Sequence, residues 1–407
     1  MTQRIREITA EDQRKNTPVY AVWETTLQCN HACAHCGSRA GPATRARELT
    51  TEELFVVGDK LAAMGTREVT LIGGEAYLRD DICELVAHLY QHGMRVTMQT
   101  GGRGLSPNLC QSLARAGMSA IGVSLDGPPG VHDTLRASPG SHVWGLRALK
   151  NAQSAGLITT SNIQINRLNK DHLRETRDII RDAGVRIWRA QLTVPMGRAA
   201  DRPDWILQPW EILEVVDELG ELQREEAQRT ADQGLPPHAM LDILASNNIG
   251  YFGPHEEILR SRPGGKSTHW SGCSAGRFTM GIESDGTVKA CPSLPTSPYT
   301  GGNLLEIPLD EIWENAPELR FVRDRGTEEL WGFCKTCYYA ETCKAGCSFT
   351  AHCTLGRRGN NPFCYHRAAT LKKSGVRERL VQTVQAEGNP YDFGCFTLEE
   401  EAWDALP

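Results

Sequence analysis

The chain has 407 residues, 23% charged and 40% hydrophobic, an ordinary make-up for a soluble globular protein with room for one large catalytic domain and a smaller one. A formal net charge of −6 argues against a nucleic-acid partner, which usually shows as a basic excess. No apolar run approaches the roughly 20 residues of a membrane span, and the polar start MTQRIREITAEDQRKNTP has no apolar signal core. Residues 1–18 read as a tail. From 19 to 233 strand-like and helix-like segments alternate: the strands VYAVWETTL, REVTLIGG, RVTMQT, SAIGVSLDG, ITTSNIQIN and RIWRAQLTV are separated by amphipathic helices, most of which stop at a glycine. Thr50 and Glu53 form a capping box at the start of one of them. Six strand–helix repeats predict an α/β domain with a parallel sheet and helices outside. A Pro/Gly-rich stretch over 234–270 reads as a linker. A cysteine-rich region follows over 271–370, and residues 371–407 read as a short helix (LKKSGVRERLVQTVQAEG) leading into an acidic tail (TLEEEAWDALP).

Fourteen cysteines without an export signal point to metal ligation rather than disulfides. Cys29, Cys33 and Cys36 are spaced C-x3-C-x2-C directly after the first strand. A tight loop of this kind can put three thiolates on three corners of a cubane cluster. On spacing alone it also suits a zinc site closed by His31 and His35 or a redox pair of Cys33 and Cys36.

The loop resembles the hallmark of the radical S-adenosylmethionine (SAM) superfamily, whose fold is a (β/α)6 partial TIM barrel. The resemblance implies a [4Fe–4S] cluster on these three cysteines, with the fourth iron free to chelate the methionyl group of SAM. One-electron reduction then releases a 5′-deoxyadenosyl radical, which takes a hydrogen atom from the substrate. Further segments fit. Gly73, Gly74 and Glu75 look like the GGE motif for the methionyl ammonium: glycines allow close backbone approach, and a carboxylate matches a cation. Ser124 and Asp126 end the fourth strand, with Arg136 beyond, where the family places polar groups for the ribose and the methionyl carboxylate. A loop salt bridge is the plainer reading of Arg136. Asn162, Gln164 and Asn166 on the fifth strand are weaker members of the same set.

Downstream, Cys273 and Cys291, with Gly286 five residues before the second, precede Cys334, Cys337, Cys343 and Cys347 in a C-x2-C-x5-C-x3-C run, and Cys364 follows. Seven or more thiols exceed one four-ligand site, so two metal centres are natural, and paired zinc sites are the plain alternative. The pattern strongly resembles the SPASM domain. That resemblance assigns Cys334, Cys337, Cys343 and Cys364 to auxiliary cluster II and Cys273, Cys291 and Cys347 to auxiliary cluster I, giving three [4Fe–4S] clusters in all. The eighth cysteine of fully ligated relatives is missing, which leaves cluster I with an open iron, a noncysteine ligand, or a distant thiolate such as Cys353 or Cys395. Either of those two is equally well an unligated thiol. Cys83 and Cys110, on amphipathic helices, read as core residues.

SPASM relatives mostly modify ribosomal peptides or proteins by cross-linking, epimerisation, oxidation or cleavage, and the layout resembles the pyrroloquinoline quinone and mycofactocin maturases. The expected function is therefore radical modification of a peptide or protein. A tetrapyrrole or sugar substrate is the alternative, and a nonenzymatic iron–sulfur carrier or scaffold is the rival outside enzymology. Only about 18 residues precede the first strand, so a separate leader-binding protein is the expected partner for a ribosomal peptide, with a flavodoxin or ferredoxin as reductant. Oxygen-labile clusters imply the cytoplasm. Tyr77, Gln99 and Gln191, near strand ends, are candidate pocket residues. No residue stands out as a substrate acid or base.

Overall fold

The computed structural model describes residues 6–261 and 266–405; residues 1–5 of the tail and the RPGG of the linker lie outside them. The six expected strands form: β1 (Tyr20–Glu24), β2 (Glu68–Ile72), β3 (Arg95–Thr100), β4 (Met118–Ser124), β5 (Ile158–Ile165) and β6 (Ile187–Leu192). They pair in parallel in sequence order, with a helix between each pair. The capping box holds the helix Thr51–Ala63, Thr50 Oγ1 accepting the Glu53 N–H at 3.3 Å and the Glu53 carboxylate accepting the Thr50 N–H at 2.9 Å. The tail is not featureless: Ala10–Lys15 is a helix capped by Thr9 and Asp12.

Strand alternation sorts the side chains. Ala21, Trp23, Leu71 and Trp188 face the helices in the buried core, while the inner face is polar. Tyr20 Oη lies 2.9 Å from Thr70 Oγ1, which lies 2.8 Å from Thr97 Oγ1. Below them Glu68, almost fully buried, pairs with Arg6 at 2.5 Å and Arg95 at 3.3 Å. A core built only under the helices leaves an interior lined by polar groups, which suits a binding cavity.

Two features depart from the sequence reading. The 234–270 stretch is not only a connector. It contributes β7 (Asp242–Ala245), parallel to β6, and the helix Glu256–Arg260. The cysteine-rich region then adds β8 (Thr279–Ile282), β9 (Thr287–Lys289) and β10 (Thr300–Asn303). β8 pairs in parallel with β1, so one ten-stranded sheet runs β10-β9-β8-β1-β2-β3-β4-β5-β6-β7. The expected C-terminal helix is also corrected. The helix Tyr365–Lys373 stops before Gly375, whose φ of 74° favours glycine. The chain then forms a hairpin of β11 (Val376–Val384) and β12 (Cys395–Ala402). The charges that suggested a solvated helix and an acidic tail are cross-strand partners: Arg377 pairs with Glu401 at 2.7 Å and Arg379 with Glu399 at 2.7 Å.

Candidate radical and iron–sulfur site

The C-x3-C-x2-C loop leaves the end of β1 and is held by its carbonyls. Arg198 donates to Cys33 O at 2.7 Å and Ala40 O at 2.9 Å, and Arg202 to Ala34 O at 2.9 Å. The Arg198 backbone N–H reaches Cys36 O at 2.9 Å, an approach for which Gly197, at φ 57°, leaves room. On the other side a Cβ on Gly73 would overlap Thr26 O, and one on Gly74 would overlap Gln28 O. The glycine pair therefore lets β2 close against the loop. Cys33 is buried and Cys29 and Cys36 are half-buried. The thiols receive donors: the His31 N–H at 3.3 Å from Cys29 Sγ and Arg136 Nη1 at 3.7 Å from Cys33 Sγ, with Ser38 Oγ at 3.4 Å from Cys36 Sγ.

The alternatives for this loop can be tested on the geometry. A four-ligand zinc site with Zn–S bonds of about 2.3 Å brings its sulfurs to about 3.8 Å of one another. Among the described residues the one group of three His, Cys, Asp or Glu ligand atoms within 4.8 Å is Asp59, His88 and His92, on the outer helices. His35 is turned away, its Nδ1 3.0 Å from Leu135 O and its Nε2 3.7 Å from Asp126. None of the fourteen cysteines is in a disulfide. The donors are thus spread more widely than a single ion needs, which fits a polynuclear cluster that engages each thiolate through a different iron. Burial pushes the Cys29 thiol up to about 12, helped by the nearby Glu75 charge. A thiolate here needs a bound cation, so loading the cluster releases protons.

The residues expected to hold SAM divide into lining and bracing groups. A cavity of about 320 Å³ is walled by Gly37 and Ser38 of the cysteine loop, by Gly73, and by the amides of Gln99, Gln164 and Gln191. Gln99 and Gln191 thus stand where a pocket was expected, whereas Tyr77 hydrogen-bonds Asn30 and Arg103 O instead. Asn162 donates to Gln99 Oε1 and reaches the cavity through it. Ser124 is half-buried at the end of β4, outside the lining. The Glu75 carboxylate is buried outside the lining, accepting from the Gly101 N–H at 2.7 Å and from Thr100 Oγ1, and burial raises it to about 7. Asp126 is fully buried and pairs with Arg136 at 2.5 Å. Although burial opposes its charge, the guanidinium holds its carboxyl down to about 2. Asp126 also accepts the Gln164 N–H at 3.0 Å. Arg136 therefore braces Cys33 and β5, as the salt-bridge reading has it. Asn166 is wholly buried and serves the 164–169 turn.

The downstream cysteines fall into two groups along the expected division. Cys273, Cys291 and Cys347 line a cavity of about 540 Å³. Cys334, Cys337, Cys343 and Cys364 line a narrow second cavity with Tyr251 and Tyr339. Burial raises Cys291 to about 11 and Cys343 and Cys347 to about 12, the same signature as in the first loop. The 540 Å³ cavity shares Val22, Gln191, Asn248, Pro292, Ser293 and Phe349 with the cavity beside the first loop. Cys353 is buried in an apolar cluster with Val194, Met196 and Tyr391 and lines neither cavity, and Cys395 opens β12. Cys110 is in the core and Cys83 packs against it.

Sequence reasoning missed Glu24, Arg198, Arg202 and Tyr391. Glu24 carried a signal, as an acid ending an otherwise apolar strand. The others lie in irregular segments and carried none.

A polar-lumened α/β barrel with a cysteine loop at the strand ends, joined through its sheet to a seven-cysteine unit, defines an iron–sulfur barrel enzyme. The chain is a member of the radical SAM superfamily carrying a SPASM domain: the radical SAM superfamily profile matches residues 23–180 and the SPASM iron–sulfur cluster-binding profile residues 273–338. It is 28% identical over 354 residues to the AdoMet-dependent heme synthase of Methanosarcina barkeri, covering 86% of this chain and 97% of that protein. It is 29% identical over 356 residues to the mycofactocin maturase MftC of Mycobacterium ulcerans, covering 86% and 88%. The fold superposes on native anSMEcpe with bound AdoMet at a TM-score of 0.65, with 17% identity, 87% of this chain and 95% of that one. Among the described residues no helix is long and apolar enough to cross a membrane.

Proposed function

We propose that this protein carries a [4Fe–4S] cluster on Cys29, Cys33 and Cys36, reductively cleaves SAM there, and removes a hydrogen atom from a peptide substrate. Auxiliary clusters on Cys273, Cys291 and Cys347 and on Cys334, Cys337, Cys343 and Cys364 complete the set. When bound, the first cluster and SAM supply a carbon radical strong enough to take hydrogen from an unactivated C–H bond.

The protein's own part is positioning. Gly73 and Gly74 let β2 close against the cysteine loop, Arg136 keeps a cation beside Cys33, and Arg198 and Arg202 fix the loop carbonyls. The observation that carries the reading is the shared wall of the two cavities. A substrate seated on it would lie between the Cys29–Cys33–Cys36 loop and the Cys273, Cys291 and Cys347 thiols, which would hold a cluster able to accept an electron. The amides of Gln164 and Gln191 offer paired donors and acceptors, as a peptide backbone requires, while Gln99 Oε1 accepts from Asn162 and the Asn248 amide is bound to the Leu192 backbone at 3.2 and 2.9 Å. A separate leader-binding protein and a flavodoxin or ferredoxin are the partners this scheme calls for.

A second reading, modification of a carboxylate-bearing tetrapyrrole, rests on the likeness to heme synthases over almost their whole length. One experiment separates the two. Reconstituted holoenzyme with SAM and a reductant is offered short peptides encoded beside its gene and, separately, iron coproporphyrin. A SAM-dependent mass change in a peptide supports the first reading. A SAM-dependent mass loss in the porphyrin, with the peptides untouched, replaces it with the second.

A further inference from the structure

Neither matching profile extends past residue 338, yet the C-terminal hairpin reaches back into the cavity. Its connecting loop runs across the mouth of the barrel and is pinned on several sides. Asp392 pairs with Arg39, three residues beyond Cys36, at 2.7 Å. The Asp392 carbonyl accepts the Gly197 N–H at 2.8 Å, and Phe393 bridges to Met196. Directly before these anchors Tyr391, at φ 59°, turns its side chain inward, where it is 6% exposed and lines the cavity beside the cysteine loop.

Its surroundings fix the ring. The phenol O–H donates to Glu24 Oε2. Glu24 is itself held by Arg45 at 3.0 Å and by the Ser284 hydroxyl at 3.0 Å. Lys289 Nζ stands 3.9 Å from the ring centroid and pairs with Glu283 at 2.6 Å. Glu24 and Glu283 face Arg45 and Lys289, with Asp285 a further 3.7 Å partner of Arg45, so each member of the network has a partner. With its hydroxyl spent on Glu24, Tyr391 offers the cavity an aromatic wall rather than an acid. The loop that carries it is tied to the cysteine loop through Arg39.

We propose that Tyr391, carried by the hairpin loop 388–393, is a substrate-positioning residue of this site: its ring walls the reaction cavity, packs against the substrate and keeps small solutes from the radical. This rests on the radical reading above. The test is arranged so that the two can fail separately. Holoenzyme without substrate is reduced with dithionite in D2O, supplied with SAM and a small thiol, and the deuterium in the 5′-deoxyadenosine formed is measured by mass spectrometry. A thiol that reaches the radical transfers its S–D deuterium to the 5′ carbon and leaves as a thiyl radical. Tyr391→Ala is expected to raise the deuterium fraction at least threefold over wild type, and Tyr391→Phe, which keeps the ring, to restore wild-type labelling. Equal labelling in all three, with 5′-deoxyadenosine formed, overturns the wall and leaves the radical reading standing.

Hydrogen exchange gives a readout independent of the chemistry. In cluster-loaded wild type the amides of Gly388, Asn389, Tyr391, Asp392 and Phe393 should be protected, and Asp392→Asn should speed their exchange at least tenfold. Fast exchange of that loop in the wild type overturns the proposal even where no 5′-deoxyadenosine forms, whereas protected amides without any 5′-deoxyadenosine reject the radical reading alone.

Discussion

Replacing Asp126 with Asn tests how the cysteine loop is braced. The carboxylate is fully buried and 2.5 Å from Arg136, which is itself buried and 3.7 Å from Cys33 Sγ. Asn keeps the shape and removes the charge, stranding a guanidinium in the interior. Breaking one side of a buried pair costs about 3–5 kcal/mol. Taking the barrel, about 215 residues, as the cooperative unit, an unfolding entropy of about 2.1 cal/mol/K per residue gives about 0.45 kcal/mol/K, so the Tm should fall by about 7–11 °C. The sign with pH follows from the carboxyl being held down to about 2. Its contribution is full above the unfolded value of about 3.9 and is lost as pH falls toward 2. Thermal unfolding of wild type and Asp126→Asn should therefore differ by a constant amount from pH 5 to 8 and converge between about pH 4 and 2. A drop under about 2 °C at neutral pH, or a gap that persists in acid, would refute the bracing role. The double variant Asp126→Leu/Arg136→Met should recover most of the lost stability, because it removes both charges.

Gly74→Ala should drive a methyl into Gln28 O and the Cys29 side chain. Overpacking costs about 1–3 kcal/mol, and loss of the first cluster should lower iron from about twelve to about eight per chain. Cys347→Ala should also lower iron to about eight while leaving the SAM-induced change in the first cluster's electron paramagnetic resonance spectrum intact; loss of that change would place Cys347 at the wrong site. Glu75 has a carboxyl raised by burial to about 7. It imposes no penalty below its unfolded value, and the penalty grows as pH rises from about 4 to 7. Wild type should lose stability over that range and Glu75→Gln should not, as read by Tm against pH.

The barrel strands and their helices were legible because periodicity, caps and glycine stops agree over each segment, and the cysteines were legible because their spacings are local. Which polar residues touch the cavity was legible only in part. Asp126 and Arg136 stand ten residues apart in sequence, and the helix between them folds them onto each other, a pairing that spacing alone does not show. Gln99, Gln164 and Gln191 could be picked out from their places on the strands, but only the parallel pairing of those strands brings them to one wall. The C-terminal hairpin was misread because Arg377 and Arg379 answer Glu401 and Glu399 across the ten-residue connection 385–394, a pairing that a helical period cannot reveal. Tyr391 belongs to the same class: only tertiary structure carries a residue that close to the C-terminus back to Glu24 on the first strand.

The most direct test of the central claim is anaerobic incubation of reconstituted, dithionite-reduced protein with SAM, with 5′-deoxyadenosine and methionine quantified against a Cys33→Ala control. Equimolar formation of the two in wild type, and none in the control, is the expected result. Intact clusters with neither product, or product formation that survives loss of Cys33, would contradict it.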